Sequence, residues 1–192
     1  MKAVYVLFSL FIFSPVYAVD LSPNNLVNID SVFPENNSIM VKMVNKFGVR
    51  YGIPSEKQIL PISTMEIYWQ LDLPRLKNTL LLPIAELAVS KLLVDDMHGV
   101  IWSAGLAYKV PILNTNNRLS FDGSTKVNYL SRHDFGRKRY GGPIHFSYRF
   151  GLSFAIVQNI SLSYSWQHLS NADRYDYNPT LETHTLALGL GF

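Results

Sequence analysis

The chain has 192 residues, a formal net charge of +3 and no cysteine. This length suits one domain, and the lack of cysteine excludes disulfides, cysteine–zinc sites and a thiol nucleophile. The small positive charge gives no support for nucleic-acid binding. Charged residues make up 16% of the chain and aromatic residues 13%, whereas about 25% of a usual soluble protein is charged. This balance favours a protein with a large surface in lipid.

Residues 1–18 have the pattern of a secretory signal peptide: a positive residue, an apolar run and a small-residue cleavage site ending at Ala18. The alternative is an N-terminal membrane anchor. The apolar run is short for a spanning helix, and Pro15 interrupts it. We therefore expect export, cleavage after Ala18, and one barrel domain over 19–192. Within that domain, residues 19–37 are rich in Asn and show no clear periodicity.

Period-two alternation of apolar and polar residues dominates the rest of the chain. It is clearest over residues 144–156, which are long for a soluble strand and comfortable for a tilted transmembrane strand. Seven further segments alternate in the same way: 39–52, 64–73, 80–91, 100–110, 118–129, 160–170 and 185–192. The pattern predicts eight strands. Pro83 lies inside the third of them and is expected to mark a strand start or a bulge.

The polar faces of these segments carry charges of both signs. They are Glu66, Asp72, Glu86, Asp122, Lys42, Lys46, Arg50, Lys109, Arg118, Lys126 and Arg149. A closed barrel is the sheet that can sit in lipid, because an open edge would leave backbone groups unpaired. We predict an all-β fold, an eight-stranded antiparallel transmembrane β-barrel with an interior filled by side chains. A lipocalin-like soluble barrel, apolar inside, has the same alternation and stays open at this point.

The end of the chain carries a second indication. The last segment alternates and ends on Phe192, which resembles the C-terminal signal of outer-membrane barrels. The barrel-assembly machinery is therefore an expected partner. A homodimer is compatible with such a barrel, and the sequence leaves the oligomeric state open.

The connections between the segments alternate in length. Those at 114–117 and 157–159 are short, whereas those at 130–142 and 171–180 are long. Outer-membrane barrels have short periplasmic turns and long external loops. With the N-terminus in the periplasm, the segment 160–170 runs outward and ends in the outer leaflet.

Three side chains near the C-terminus have the types of a hydrolytic triad. His168 and Ser170 share the parity of the apolar face of their segment, and Glu182 shares the parity of the apolar residues that follow it. A loop centred near Asp176 would place Ser170 opposite Glu182 and His168 opposite His184. The pattern favours His168 as base, Ser170 as nucleophile and Glu182 as the orienting acid. The alternative is a set of ordinary polar residues at the membrane interface.

The motif around these residues resembles the outer-membrane lipid A 3-O-deacylase family. His-x-Ser-Asn-Ala at 168–172, then Asn-Pro, then Glu182 and a short alternating strand ending in Phe match the family pattern, and the stretch 129–152 is also similar. The resemblance implies that His168, Ser170 and Glu182 hydrolyse the ester-linked acyl chain at the 3-position of lipid A. It implies an oxyanion role for Asn171 and no metal or cofactor. Asp173 stands where many relatives have a small residue.

Other residues have weaker indications of function. Arg132, Arg137, Lys138 and Arg139 in the long link are candidates to contact lipid A phosphates, and an ordinary charged external loop explains them equally well. His184 is either a partner of Glu182 or an interfacial histidine. Two other functions stay open: a phospholipase or acyltransferase that acts on another outer-leaflet lipid with the same triad, and a non-catalytic structural or adhesin barrel.

Overall fold

The computed structural model describes residues 45–74, 81–112, 115 and 118–192. The expected signal peptide, the segment 19–37 and the predicted strand start at 39–44 lie outside these residues. Eight long strands form the wall: β1 (Asn45–Pro54), β2 (Ile62–Asp72), β3 (Leu82–Val94), β4 (Met97–Pro111), β5 (Leu119–Leu130), β8 (Ile144–Val157), β9 (Ile160–Ser170) and β10 (Leu181–Gly191). Two short strands, β6 (Asp134–Phe135) and β7 (Lys138–Arg139), form a separate hairpin.

The eight long strands close into an antiparallel barrel, which confirms the predicted fold class. Around the wall the order is β1-β10-β9-β8-β5-β4-β3-β2, so the first strand pairs with the last. Pro83 is the second residue of β3, which confirms the strand-start interpretation. Within the described ranges, no helix is long and apolar enough to cross a membrane.

Alternation along each strand separates an apolar outer side from a polar inner side. In β8, Tyr148, Phe150 and Phe154 are exposed, whereas Ser147 and Arg149 are buried. The same separation runs through the other strands, where large apolar side chains form most of the exposed surface. A lipocalin-like barrel would have the opposite arrangement, so this alternative is excluded.

A buried ion network fills the middle of the barrel. It consists of six charged side chains from five strands: Arg50, Glu66, Glu86, Asp122, Lys126 and Arg149. Glu86 lies at its centre, 3.4 Å from Arg50, 3.2 Å from Lys126 and 3.4 Å from Arg149. Positive and negative groups balance, which is what buried charges require. The network leaves no open pore, as expected for eight strands.

The end of the barrel where β9 ends is closed differently, by a buried apolar cluster. It comprises Leu60, Ile62, Leu92, Val94, Ile101, Leu130, Phe135, Tyr140, Leu169 and Leu181. The long link contributes Phe135 and Tyr140, whose rings pack edge to face at 5.9 Å. The sequence pattern predicted a polar interior throughout and did not predict this cap or the β6–β7 hairpin. The cap is close to the candidate site, because two of its residues adjoin the triad candidates in sequence. Leu169 lies between His168 and Ser170, and Leu181 directly precedes Glu182.

Candidate active site

The three triad candidates lie together at the capped end, on the outer side of the wall. Leu169 and Leu181 point inward and are 3% exposed, so their neighbours in sequence point outward by strand parity. His168 and Glu182 retain 16% and 39% of their side-chain exposure. The lipid-facing parity expected from the sequence is therefore present in the structure.

The register between β9 and β10 differs from the prediction. Glu182 lies directly opposite His168, and His184 lies opposite Trp166, so the expected pairing of Glu182 with Ser170 is wrong. The loop is centred on Tyr175, one residue earlier than expected. When the centre of the loop moves by one residue, the partner of each β10 residue on β9 changes by two residues. Glu182 therefore still faces the same side of the wall. The correction brings the acid next to the base rather than next to the nucleophile.

His168 and Glu182 are within ion-pair distance. His168 Nδ1 lies 3.5 Å from Glu182 Oε1, but the two groups are not aligned as a hydrogen bond, and Nδ1 has no other partner among the described residues. Ser170 lies two residues beyond His168 on the same side and pairs with Phe146 of β8. No hydrogen bond joins Ser170 to His168 in the described part of the chain. Catalytic hydrogen bonds are often long in unliganded enzymes and shorten with substrate.

Aromatic side chains hold the His168 ring. Tyr148 lies directly opposite on β8 and stacks on the imidazole with centroids 4.9 Å apart. Trp166, two residues before His168 on β9, packs beside the imidazole with ring centroids 6.0 Å apart. Sequence reasoning did not identify Tyr148 as part of the site. The short turn at 157–159 does not by itself fix this pairing, because an irregularity between Ala155 and Val157 shifts the register of β8 and β9 by one residue.

Ser55 provides a second contact to the acid. It follows β1, and its backbone N–H donates to Glu182 O at 2.9 Å, while its hydroxyl donates to Glu182 Oε2 at 3.5 Å. The two carboxylate oxygens are thus divided, Oε1 toward His168 and Oε2 toward Ser55. Nothing in the sequence pattern relates residues 55 and 182, because their proximity depends on the pairing of the first strand with the last.

Asn171 anchors two loops. Its side chain is fully buried, and Nδ2 donates to Tyr177 O at 2.7 Å and to Tyr140 O at 3.3 Å. Its backbone N–H donates to Asn178 Oδ1 at 2.9 Å. All its donors therefore have acceptors inside the protein. The oxyanion role expected for Asn171 does not fit this arrangement, because no N–H of the residue is left for a substrate.

The two residues after Asn171 have an unusual backbone. Ala172 and Asp173 have φ of +53° and +57°, a conformation that is unfavourable for residues with a side chain. The Asp173 carboxylate accepts a hydrogen bond from Asn178 Nδ2 at 2.8 Å. Asp tolerates this conformation better than most residues. The carboxylate at position 173 is therefore used to stabilise the loop.

His184 has a partner of its own. Its Nδ1 is 2.9 Å from the Tyr164 hydroxyl, and the two rings stack at 5.9 Å. Among the described contacts none joins His184 to Glu182. The interfacial interpretation of His184 therefore fits the structure better than a role beside the acid.

The four basic candidates in the long link have different environments. Arg132 lies over the Phe135 ring and Lys138 over the Tyr140 ring. Arg139 Nε pairs with Asp134 at 3.3 Å on the surface, while Arg137 is exposed. Burial lowers the pKa of Lys138 and raises that of the Tyr140 hydroxyl.

Comparison with known proteins supports this description. A family model described as lipid A 3-O-deacylase (PagL) matches residues 45–191. The crystal structure of the outer membrane enzyme PagL matches with a TM-score of 0.58 and 14% identity, over 76% of this chain and 98% of that one. The crystal structure of Neisserial surface protein A matches with a TM-score of 0.50 and 12% identity, over 78% of this chain and 95% of that one. The Yersinia pestis outer membrane protein Ail matches with a TM-score of 0.50 and 14% identity, over 79% of this chain and 100% of that one. At these identities the structures show the fold alone, and curated protein sequences gave no match.

Fold and site define a class: an eight-stranded β-barrel with an apolar outer side that carries a serine, a histidine and a carboxylate. Because the family model covers most of the barrel, the chain belongs to the lipid A 3-O-deacylase (PagL) family. It is therefore an ester hydrolase of the outer membrane.

The loop-anchoring position of Asn171 leads to a specific expectation. Asn171→Ala leaves the Tyr177 carbonyl without its donor, which costs about 1–3 kcal/mol for an unsatisfied group, whereas the Tyr140 carbonyl keeps its contact with His145 Nε2 at 2.9 Å. We expect this variant to unfold at a lower temperature, measured by heat-dependent gel mobility of the folded barrel, while Ser170→Ala unfolds like the wild type. Unchanged unfolding together with a roughly 10²–10³-fold lower kcat would instead indicate an oxyanion donor.

Proposed function

We propose that the chain hydrolyses the 3-O-linked acyl ester of lipid A with Ser170 as nucleophile, His168 as general base and Glu182 as the acid that orients the histidine. The observation that carries this proposal is the pairing of Glu182 with His168 on the lipid-facing side, with Ser170 two residues beyond on the same side. A soluble esterase would keep such groups in a cleft. Here they face the membrane, as a substrate held in the bilayer requires.

The depth of the site suits this substrate. The ester bonds of lipid A lie just below its sugars, at the boundary between headgroup and acyl chains. The site lies where β9 ends and the loop 171–180 begins, beside exposed aromatic residues such as Tyr148 and Tyr164. Aromatic rings are enriched at this depth in membrane proteins. An enzyme with this geometry reaches the ester without extracting the lipid.

The proposed reaction has two halves. Ser170 Oγ attacks the ester carbonyl and transfers its proton to His168 Nε2, the ring nitrogen that does not face Glu182. The tetrahedral intermediate collapses, the bond from the carbonyl carbon to the sugar oxygen breaks, and His168 returns the proton to that oxygen. Water then attacks the acyl-enzyme, with His168 again as base. The free fatty acid leaves, and the Ser170 hydroxyl is restored.

Backbone N–H groups are the better candidates for oxyanion donors. Those of Ala172 and Asp173 follow Ser170 closely and have no acceptor among the described residues. Their left-handed conformation is of the kind that persists at functional sites because surrounding contacts enforce it. The hydrogen bonds of Asn171 and Asn178 supply such contacts. In this proposal Asn171 supports the oxyanion site by holding the loop that forms it.

The proposal includes export and assembly. The N-terminal 18 residues would direct the chain across the inner membrane, and the C-terminal Phe192 would be recognised by the barrel-assembly machinery. Phe192 is 62% exposed and stacks on Phe47 with centroids 5.8 Å apart. Its backbone N–H donates to Asn45 O at 2.9 Å. The exposure of the Phe192 ring beside the junction of the first and last strands supports this part of the proposal.

The direct test of the function is mass spectrometry of lipid A from cells that express the wild type, Ser170→Ala or no barrel. The wild type is expected to remove one 3-hydroxyacyl chain, and Ser170→Ala is expected to leave lipid A as in cells without the barrel. Equal levels of both folded proteins in the outer membrane serve as the control. Unchanged lipid A in wild-type cells would refute the proposed activity.

The contact of Ser55 with Glu182 predicts a smaller effect. Ser55→Ala removes one hydrogen bond to the carboxylate, worth about 0.5–1.5 kcal/mol, so kcat should fall roughly threefold to tenfold with little change in KM. Ser55→Thr keeps a hydroxyl and should retain activity. Because Ser55 acts through Glu182, adding Ser55→Ala to Glu182→Gln should cause little further loss. Independent, additive losses would show that Ser55 does not position the acid.

A further inference from the structure

A groove lies between the two long surface loops at the capped end of the barrel. Its volume is about 770 Å3, and its walls come from residues 133–141 and 174–177. This volume lies within the range of small-molecule sites. The residues of the proposed ester hydrolysis do not line it.

Hydrogen bonds hold the two walls of the groove together. Asn171 donates to Tyr140 O and Tyr177 O, and the Tyr175 hydroxyl accepts a hydrogen bond from Ile144 N–H at 3.0 Å. Gly141 has φ of +80°, and a side chain there would collide with Tyr177 O and Asn171 Nδ2. The loops therefore meet in a defined arrangement at the base of the groove.

Charges in the groove are left partly uncompensated. Asp134 pairs with Arg139 at 3.3 Å. Arg137 from one wall and Arg174 from the other line the groove, and in the described part of the chain neither makes an ion pair. Apart from Asp134, Asp176 is the carboxylate among the residues that line the groove. Two arginines from opposite walls suit a phosphate or a carboxylate, which a guanidinium binds through two parallel hydrogen bonds.

The groove lies beside the proposed esterase site, because one of its walls belongs to the loop that follows Ser170. Arg174 is four residues beyond Ser170 in the loop that continues β9, and that loop extends away from the lipid-facing strands. A lipid with its ester at Ser170 would therefore have its polar headgroup on the side of the groove.

We propose that Arg137 and Arg174 bind an anionic group on the saccharide of the lipid whose ester is cleaved at Ser170. This inference rests on the proposed function and adds to it a headgroup site that makes the enzyme selective for phosphorylated or acidic glycolipids. It also divides the four basic candidates of the sequence: Arg137 and Arg139 line the groove, whereas Arg132 and Lys138 lie against aromatic rings.

The test measures binding in the Ser170→Ala background, so that it does not depend on turnover. Bisphosphorylated and dephosphorylated lipid A in phosphatidylcholine vesicles are the two ligands. The groove variant combines Arg137→Gln with Arg174→Gln. The matched control combines Arg132→Gln with Lys138→Gln, which removes the same formal charge from the same surface through two side chains that do not line the groove.

The groove variant is expected to bind bisphosphorylated lipid A about tenfold more weakly, since two partly solvated charge-assisted contacts are lost. Its binding of dephosphorylated lipid A should be unchanged, and the control should bind both ligands like the parent. Equal weakening by both variants would show a general charge effect and overturn the proposal, as would unchanged binding by the groove variant. Failure of the proposed function is a separate result: wild type would then leave the acyl chains of both lipids intact.

Discussion

The two-sided geometry of the β-strand is the constraint on which the site depends. In lipid every backbone group of the wall must be paired, so the sheet closes on itself and each residue takes either the inner or the outer side. His168, Ser170 and Glu182 take the outer side together because they share parity across one hairpin. A shift of one residue in either strand would move that strand's residues into the barrel. The lipid-facing position of the three groups is thus a consequence of strand register.

The interior supports this outer side through buried contacts. Glu86 binds three cations from three other strands, which ties the wall together across the barrel, and the apolar cap fixes the end that carries the site. Leu169 and Leu181 belong to that cap, so the strand ends on which His168 and Glu182 sit are anchored from within. The outer groups gain further support from neighbouring strands, through Tyr148 on β8 and Ser55 after β1.

Properties that follow from parity could be predicted from the sequence, because alternation is local. The eight-stranded barrel, the polar interior and the shared side of the triad candidates belong to this group. The register of β9 and β10 could not be predicted, because it depends on how ten loop residues fold around Tyr175. Ser55 and Tyr148 depend on closure and on a second hairpin. The burial of Asn171 depends on packing between two loops, which no periodic pattern encodes.

The proposed function requires Ser170 to be an activated nucleophile on the outside of the barrel. It is tested most directly by treating the purified barrel in detergent with a long-chain alkyl phosphonate ester, followed by intact-mass measurement and peptide mapping. We expect a single phosphonyl adduct on Ser170, formed at least a hundredfold more slowly in His168→Ala, since the base that takes the serine proton is lost (base catalysis contributes about 10²–10⁴-fold). An adduct on another residue, or labelling of Ser170 that does not depend on His168, would contradict it.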